Sequence, residues 1–274
     1  QIEGTVNTGA VEHRILAGVD YKYFNIDQVQ SSALFGTTPP IDAFDPVYGA
    51  PLTTPVSYTN QDLTQRQLGL YLQDQMRFGD GWIATLNGRY DKGWLEANDR
   101  PTFYAPTQNI VQKRSDGQFS GRAGLAYEFA NGITPYVSAA TFFNPIIGTD
   151  ANGDLFKPEE GVQYEAGIKY APTFIDGLFT LSVFDLTREN VPSNVTAFTQ
   201  LQIGEIRSRG FEAEAKVNVT EQFKVTAGLT AYDIEITEDA NTALIGNTPF
   251  IVPEVLASVS GDYTFRNGDA WYDG

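Results

Sequence analysis

The stretch FEAEAKVNVTEQFKVTAGLTA, residues 211–231, contains two strand-like segments joined by a tight turn. In 211–217 every odd-numbered residue is apolar and every even-numbered residue is charged. In 223–231 the odd-numbered residues are again apolar, and the even-numbered ones are Lys, Thr or Gly. Successive side chains of a strand point to opposite faces of the sheet. The stretch therefore predicts an antiparallel hairpin with one apolar face and one polar face.

The same two-residue period recurs along the chain and predicts ten complete strands. They are about 12–24, 65–78, 82–94, 119–129, 133–143, 162–171, 178–189, 203–217, 222–236 and 254–265. Residues 1–7 and 270–274 resemble parts of two further strands. Each complete segment reaches the ~9–11 residues that a tilted strand needs to cross a bilayer, whereas strands of globular proteins are nearer ~5–6 residues.

Connections of two lengths alternate between these strands. The short ones are 8–10, 79–81, 130–132, 171–177, 218–221 and 267–269, and the long ones are 25–64, 96–118, 144–160, 190–202 and 237–253. Bacterial outer-membrane barrels have short periplasmic turns and long extracellular loops. We therefore expect an all-β, antiparallel transmembrane β-barrel with its long loops at one end. A soluble β-sandwich gives the same alternation of faces and stays open at this point.

The composition argues against several classes of function. The chain has 34 acidic and 18 basic residues, for a formal net charge of −16. A phosphate-binding surface needs the opposite balance, so we expect no nucleic acid partner. With no Cys and with His13 as the single His, a zinc site is disfavoured, and the acidic run 150–154 lacks the later Gly and Glu of an EF-hand loop. We expect no bound metal and no enzymatic activity, and residues 1–4 predict no signal peptide.

Aromatic residues gather beside the short turns, mostly on the apolar face. They are Phe78, Trp82, Tyr127, Phe129, Tyr170, Phe223, Tyr263 and Phe265. This placement is typical of the aromatic girdle at a membrane interface. Trp94 shares a face with Trp82, and at ~3.4 Å per residue and a tilt of ~40–45° the two lie roughly 30 Å apart along the membrane normal. The apolar band of such barrels is ~25 Å tall, so we expect one Trp at each interface.

Two places break the alternation. Asp74 falls on the face that carries Leu72 and Met76, and residues 178–189 do not separate cleanly into two faces. A β-bulge, which shifts the phase by one residue, would account for either place.

Three motifs, in order along the chain, resemble the barrel of TonB-dependent siderophore receptors of the ferrichrome-receptor-like branch. The first combines GLYLQDQ at 69–75 with GRYD at 88–91. The second combines FNP at 143–145, GTDANG at 148–153 and FKPEEGVQYEAGIKY at 156–170. The third combines FDLTRENV at 184–191 with GEIRSRGFEAE at 204–214. Asp74 is part of the first motif.

The resemblance implies that residues 1–274 are part of a plugged, 22-stranded barrel in the outer membrane of a Gram-negative bacterium. Receptors of this family bind a ferric siderophore at the extracellular mouth and import it when the TonB complex pulls on a plug domain. We expect the plug domain and the terminal strands to be absent from these residues. The implied function is TonB-dependent uptake of ferric siderophores, with the siderophore as transported ligand, outer-membrane lipid around the wall and no covalently bound cofactor.

The loop 25–64 is the best candidate for ligand contacts, because it is rich in aromatic residues and contains no Lys or Arg. Together with the loop 96–118 it supplies the candidate set Phe35, Phe44, Tyr48, Phe103 and Tyr104. Flat, amphipathic rings suit bulky and partly apolar siderophore complexes. The alternative is that these rings only pack the loops against one another.

Two other functions remain open from the sequence. One is a passive porin or other outer-membrane channel, and the other is a soluble carbohydrate-binding β-sandwich. An upstream plug domain would exclude the porin, and partition into detergent would exclude the sandwich.

Overall fold

A computed structural model describes residues 1–33, 41–49, 51, 53–150, 153–194, 200–239 and 241–265. Within them, eleven strands form one antiparallel sheet whose order follows the sequence. The strands are β1 (Ile2–Thr8), β2 (Val11–Ser32), β3 (Val56–Phe78), β4 (Trp82–Asp99), β5 (Ile110–Tyr127), β6 (Ile133–Asn144), β7 (Glu159–Tyr170), β8 (Asp176–Asn194), β9 (Gln200–Asn218), β10 (Phe223–Glu238) and β11 (Val255–Tyr263). Phe35, the predicted turn 267–269 and the predicted strand start 270–274 lie outside the described residues.

Connections leave the sheet alternately at its two ends, because each strand pairs antiparallel with the next. The connections β1–β2, β3–β4, β5–β6, β7–β8 and β9–β10 lie at one end, which we call the turn end. The connections β2–β3, β4–β5, β6–β7, β8–β9 and β10–β11 lie at the other, which we call the loop end. The predicted separation of short turns from long loops is confirmed.

The strands run farther toward the loop end than predicted. β2 continues to Ser32 and β3 begins at Val56, so most of the predicted loop 25–64 is paired strand. Likewise, β4 continues to Asp99 and β5 begins at Ile110 inside the predicted loop 96–118, and β8 continues to Asn194 and β9 begins at Gln200 inside the predicted loop 190–202. A clean alternation marks a strand only where one face is apolar and the other polar, and in these extensions the apolar residues are few and fall on both faces, as Ile26 and Val29 do. Their backbone ladder nevertheless continues, with a register shift between Gln30 and Ser31.

The sheet has one apolar face and one polar face. Directly paired residues on antiparallel strands point to the same side, and Leu229 of β10 pairs with Ala213 of β9 and Ala257 of β11. The next residue, Thr230, pairs with Glu212 on the opposite side. Large apolar side chains on the apolar face are widely exposed, and an exposed apolar surface of this extent calls for an apolar partner.

The β-bulge predicted at Asp74 or within residues 178–189 is absent from both places, so that prediction is wrong. The pairing of β3 with β2 and β4 passes through Asp74 without a register shift. β8 pairs continuously with β7 through 179–189. Phe184 therefore lies on the polar face, where its partner is Gly210, and a glycine has no side chain to compete for the space of the ring.

The buried apolar residues named here lie toward the loop end and not in the middle of the sheet. Leu63, Leu95 and Ala97 belong to the polar-face series of β3 and β4 and are buried. Phe156 of the β6–β7 loop is only 1% exposed. Among the described residues, no helix is long or apolar enough to span a membrane.

Candidate functional site

Charged residues on the polar face are tied together across three strands. Arg89 of β4 donates through Nε to Asp91 Oδ2 at 2.5 Å and through Nη1 to Asp20 Oδ2 of β2 at 2.7 Å. Gln67 of β3 donates to the other oxygen of Asp91 at 2.9 Å, and Asp91 is 2% exposed. A Cβ at Gly69 would lie 2.0 Å from Arg89 Nη2, so a larger residue here would displace the guanidinium from its two aspartates. The polar face thus presents a hydrogen-bonded, charge-compensated wall.

The β6–β7 loop folds back onto this wall near the loop end. Its first residue, Pro145, accepts a hydrogen bond from Gln65 Nε2 at 3.2 Å. The proline ring lies against Gly93, where a Cβ would be 3.0 Å from the ring. Farther along, Gln61 Nε2 lies 3.5 Å from Thr149 Oγ1. The first part of the loop is therefore fastened to β3 and β4.

The second part of the loop is fastened to β5. Gln112 donates to the carbonyl of Gly153 and accepts from the backbone N–H of Leu155 at 3.3 Å. Phe156 follows directly, buries its ring, and donates its N–H to the Gly148 carbonyl at 3.2 Å. The loop is thus held by side-chain amides and not by the backbone hydrogen bonds of a paired strand. A Gln amide can do this because it offers both a donor and an acceptor to the N–H and C=O groups of the loop.

The last two residues of the loop are held by β8 and β9. Gln202 donates to the carbonyl of Lys157 at 2.8 Å and accepts from its N–H at 2.9 Å. The same Gln202 amide also donates to the Asn190 carbonyl at 2.8 Å. Asn190, with φ at 57°, donates through its side chain to the Pro158 carbonyl at 2.9 Å. The sequence gives no periodic signal for any of these contacts, and the conspicuous FKPEEG motif is the nearest hint.

The structure brings together only part of the predicted ligand set. Phe103 and Tyr104 form an edge-to-face pair with ring centroids 5.3 Å apart, and the Phe103 N–H donates to the Ser57 carbonyl at 3.0 Å. Phe44 is fully exposed, and Tyr48 is also exposed. Phe35 lies outside the described residues. The four described rings all lie in loop-end connections and have free surface, as a ligand contact requires.

Comparison with known proteins decides what kind of sheet this is. Residues 1–274 match the family model described as TonB dependent receptor-like, beta-barrel. The chain belongs to this family. It is 35% identical over 273 residues to the ferrioxamine B receptor of Salmonella typhimurium, covering 98% of this chain and 37% of that protein. It is 34% identical over 283 residues to the ferrichrome outer membrane transporter/phage receptor of Escherichia coli, covering 98% and 36%.

A solved structure agrees on the fold. The ferric-catecholate import receptor Fiu of Escherichia coli, in its closed form, superposes with a TM-score of 0.74 at 19% identity, over 97% of this chain and 41% of Fiu. The chain therefore spans well under half the length of the relatives it matches. The family consists of transport receptors and not of enzymes, and its barrels lie in the outer membrane of Gram-negative bacteria. As a member of this receptor family, the sheet turns its apolar face toward lipid and its polar face toward the barrel interior.

Aromatic rings line the turn end of this receptor wall. Trp82 and Tyr127 contact edge to face with centroids 5.0 Å apart, and Tyr127 contacts Phe129 at 4.6 Å. The remaining contacts involve Phe78 paired with Trp82, Tyr170 with Phe179, Phe223 with Tyr263, and Tyr263 with Phe265. Trp94 lies toward the loop end, paired with Arg66. Their role as two membrane-interface girdles remains a prediction.

Asp74, a charged residue on the lipid side of the receptor wall, has a partner that the sequence does not reveal. His13 Nδ1 on β2 lies 2.7 Å from Asp74 Oδ2, and Thr8 Oγ1 lies 2.6 Å from His13 Nε2. His13 pairs directly with Met76, so it reaches Asp74 diagonally across the strand pair. A carboxylate facing hydrocarbon is costly unless it is paired, and this chain of three side chains supplies the pairing.

Proposed function

We propose that the protein containing these residues imports a ferric siderophore across the outer membrane and that this chain forms part of its wall and mouth. The observation that supports this best is the match of nearly the whole chain to two receptors named for ferric siderophores. The single continuous sheet adds support, because a soluble β-sandwich would divide its strands between two packed sheets. The comparisons give no support to a porin or to a carbohydrate-binding protein.

In this proposal the two faces and two ends have separate tasks. The apolar face contacts lipid, the turn end faces the periplasm, and the loop end faces the outside. The polar face forms the passage, and the ferric siderophore is its cargo and not a resident cofactor. Energy for release comes from the TonB complex acting on the plug that such receptors carry. The proposed barrel has 22 strands, of which the described residues supply eleven.

The charge of the chain restricts the cargo. The 34 acidic against 18 basic residues of this chain favour association with cationic complexes over strongly anionic ones. Ferric complexes that are neutral or positively charged are therefore favoured over those with several negative charges. The exposed rings of Phe44, Tyr48, Phe103 and Tyr104 are the proposed apolar contacts for the organic part of the complex.

Growth under iron limitation tests the proposal. The full-length protein is expressed in a strain that lacks its own siderophore receptors, and defined ferric siderophores of different charge are supplied one at a time. Rescue by at least one of them, with the neutral or cationic complexes performing best, is the expected result. Cells with the empty vector are the control. Failure with every ferric siderophore, together with uptake of another nutrient, would overturn the proposed cargo.

A further inference from the structure

The β6–β7 loop is held against the inner wall along most of its described length. Residues 145–150 contact β3 and β4, residues 153–156 contact β5, and residues 157–158 contact β8 and β9. Leu63, which lies between the loop-binding residues Gln61 and Gln65 on β3, is buried. A loop fastened to the strands on both sides of β6 and β7 has little freedom to move away, since opening it would expose the buried ring of Phe156 and break several hydrogen bonds to the loop backbone.

Within this docked loop, both backbone groups of Lys157 are hydrogen-bonded to one side chain. Gln202 binds both its N–H and its carbonyl, as a paired strand would. Gln202 belongs to the polar-face series of β9, which contains Ser208 and Gly210 on the same side as Phe184. Lys157 is therefore held on the inner side of the wall, in the passage and not on the lipid side.

The side chain of Lys157, in contrast, is free. It is exposed, and among the described residues it forms no ion pair, whereas its neighbour Glu159 is paired with Arg188. An ammonium with three donors on a fixed backbone is suited to bind oxygen acceptors. In a chain with a net charge of −16, Lys157 offers an exposed cation whose backbone is held in place by the Gln202 amide.

We infer that the docked β6–β7 loop is a preformed cargo-binding shelf, with Lys157 as its contact to an oxygen acceptor on the ferric complex and Gln202 as the residue that positions it. The acceptor is a carboxylate, hydroxamate or hydroxyl oxygen on the outer surface of the complex. The shelf keeps its docked position when cargo binds. This inference rests on the proposed function and adds a specific binding residue to it.

Affinity measurements on the full-length protein test the contact. For the ferric siderophore that supports growth, Lys157→Ala should weaken binding about tenfold, the scale of a lost charged hydrogen bond, and Lys157→Arg should retain most of the affinity. Gln202→Ala should also weaken binding, although it leaves the charge in place. Lys113→Ala is the matched control, because Lys113 is exposed but paired with Glu96 at 3.2 Å on the other side of the wall. Unchanged affinity in Lys157→Ala would overturn the contact.

A chemical bridge tests whether the shelf is fixed. The chain has no native Cys, so Gln61→Cys with Thr149→Cys can be joined by a short bis-methanethiosulfonate, which forms a disulfide with each thiol, releases methanesulfinate and is removed by a reductant. We expect efficient bridging without cargo and the same affinity for cargo before and after bridging. Poor bridging without cargo, or a loss of affinity that a reductant reverses, would show that the loop moves and would overturn the fixed shelf.

The proposed function and the proposed role of the β6–β7 loop can be refuted separately. A wild-type protein that binds no ferric siderophore refutes the proposed function and with it the role of Lys157 as a contact. The bridging yield is measured without cargo, so it still decides whether the loop is docked. Binding by the wild type combined with full affinity in Lys157→Ala refutes the shelf alone.

Discussion

A few residues break the alternation of apolar and polar side chains along the strands, and Asp74 is the clearest example. The sequence identifies Asp74 as a charge on the apolar face and His13 as the only His. It cannot connect the two, because the contact depends on the register in which His13 stands opposite Met76, two residues from Asp74. Once that register is known, the 2.7 Å contact explains how a carboxylate is tolerated there.

The His13–Asp74 pair yields a prediction for stability. His13→Leu leaves the carboxylate unpaired on a lipid-facing surface, where one of its oxygens already lacks a partner. We expect a loss of about 1–3 kcal/mol, the usual cost of orphaning a buried polar group. The double variant His13→Leu with Asp74→Leu should recover most of it, because removing both partners leaves no charge to desolvate. Folding titrations of the full-length protein in lipid vesicles measure both values, and equal losses in the single and double variants would contradict the pairing.

At the scale of the element, β10 displays the two faces most simply. Leu229 points to lipid between Ala213 and Ala257, and Thr230 points to the interior beside Glu212. Leu229→Arg should therefore destabilise the full-length barrel by ~2–4 kcal/mol, the cost of a cation near the bilayer midplane. Thr230→Arg, one residue away, is the matched control and should cost much less. Equal costs in vesicle folding titrations would mean that the faces are reversed.

The loop-end connections show where sequence reasoning stops at the level of elements. The predicted loop 144–160 agrees closely with the observed 145–158, yet its docking was not predicted. Glutamine amides at 61, 65, 112 and 202 make that docking, and Gln has no periodicity that distinguishes a clamp from a solvated side chain. The strand extensions beyond the membrane were also not predicted. Their strands are paired through backbone hydrogen bonds, which do not require particular side chains and so leave no pattern in the sequence.

The aromatic candidates lead to a prediction at the same scale. Replacing Phe44, Tyr48, Phe103 and Tyr104 by Ala should weaken cargo binding without lowering the amount of folded protein, because all four rings have exposed surface. Two double variants separate the loops, one with Phe44→Ala and Tyr48→Ala and the other with Phe103→Ala and Tyr104→Ala. Affinity and heat-dependent gel mobility are measured together. Unchanged affinity in both would assign these rings to loop packing.

At the scale of the whole molecule, the alternation of turns and loops was sufficient to predict the topology. Period-two segments such as 211–217 and 223–231 gave the strands, and the connections between them gave the two ends of the sheet. Connection lengths, strand lengths and aromatic spacing predicted the membrane, and the β-sandwich was set aside by the single sheet and by the match to the receptor family. The contacts between the β6–β7 loop and β3, β5, β8 and β9 could not be predicted, because they join residues far apart in sequence without any shared pattern.

Surface labelling tests the orientation of the molecule. Tyr48→Cys lies in a loop-end connection, and Asp80→Cys lies in the β3–β4 turn at the other end. In intact cells a membrane-impermeant maleimide should label the first variant and not the second, which should react only after the cells are lysed. Labelling of Asp80→Cys and not of Tyr48→Cys in intact cells would mean that the orientation is reversed and that the loop end faces the periplasm.

Uptake of radioactive iron distinguishes TonB-dependent import from passive diffusion. Cells without other siderophore receptors express the full-length protein and receive a ferric siderophore labelled with radioactive iron. The account predicts uptake that saturates with cargo concentration and stops when the gene for TonB is deleted or the proton gradient is collapsed. Uptake that continues unchanged without TonB and without the gradient would show a passive channel and would contradict the account.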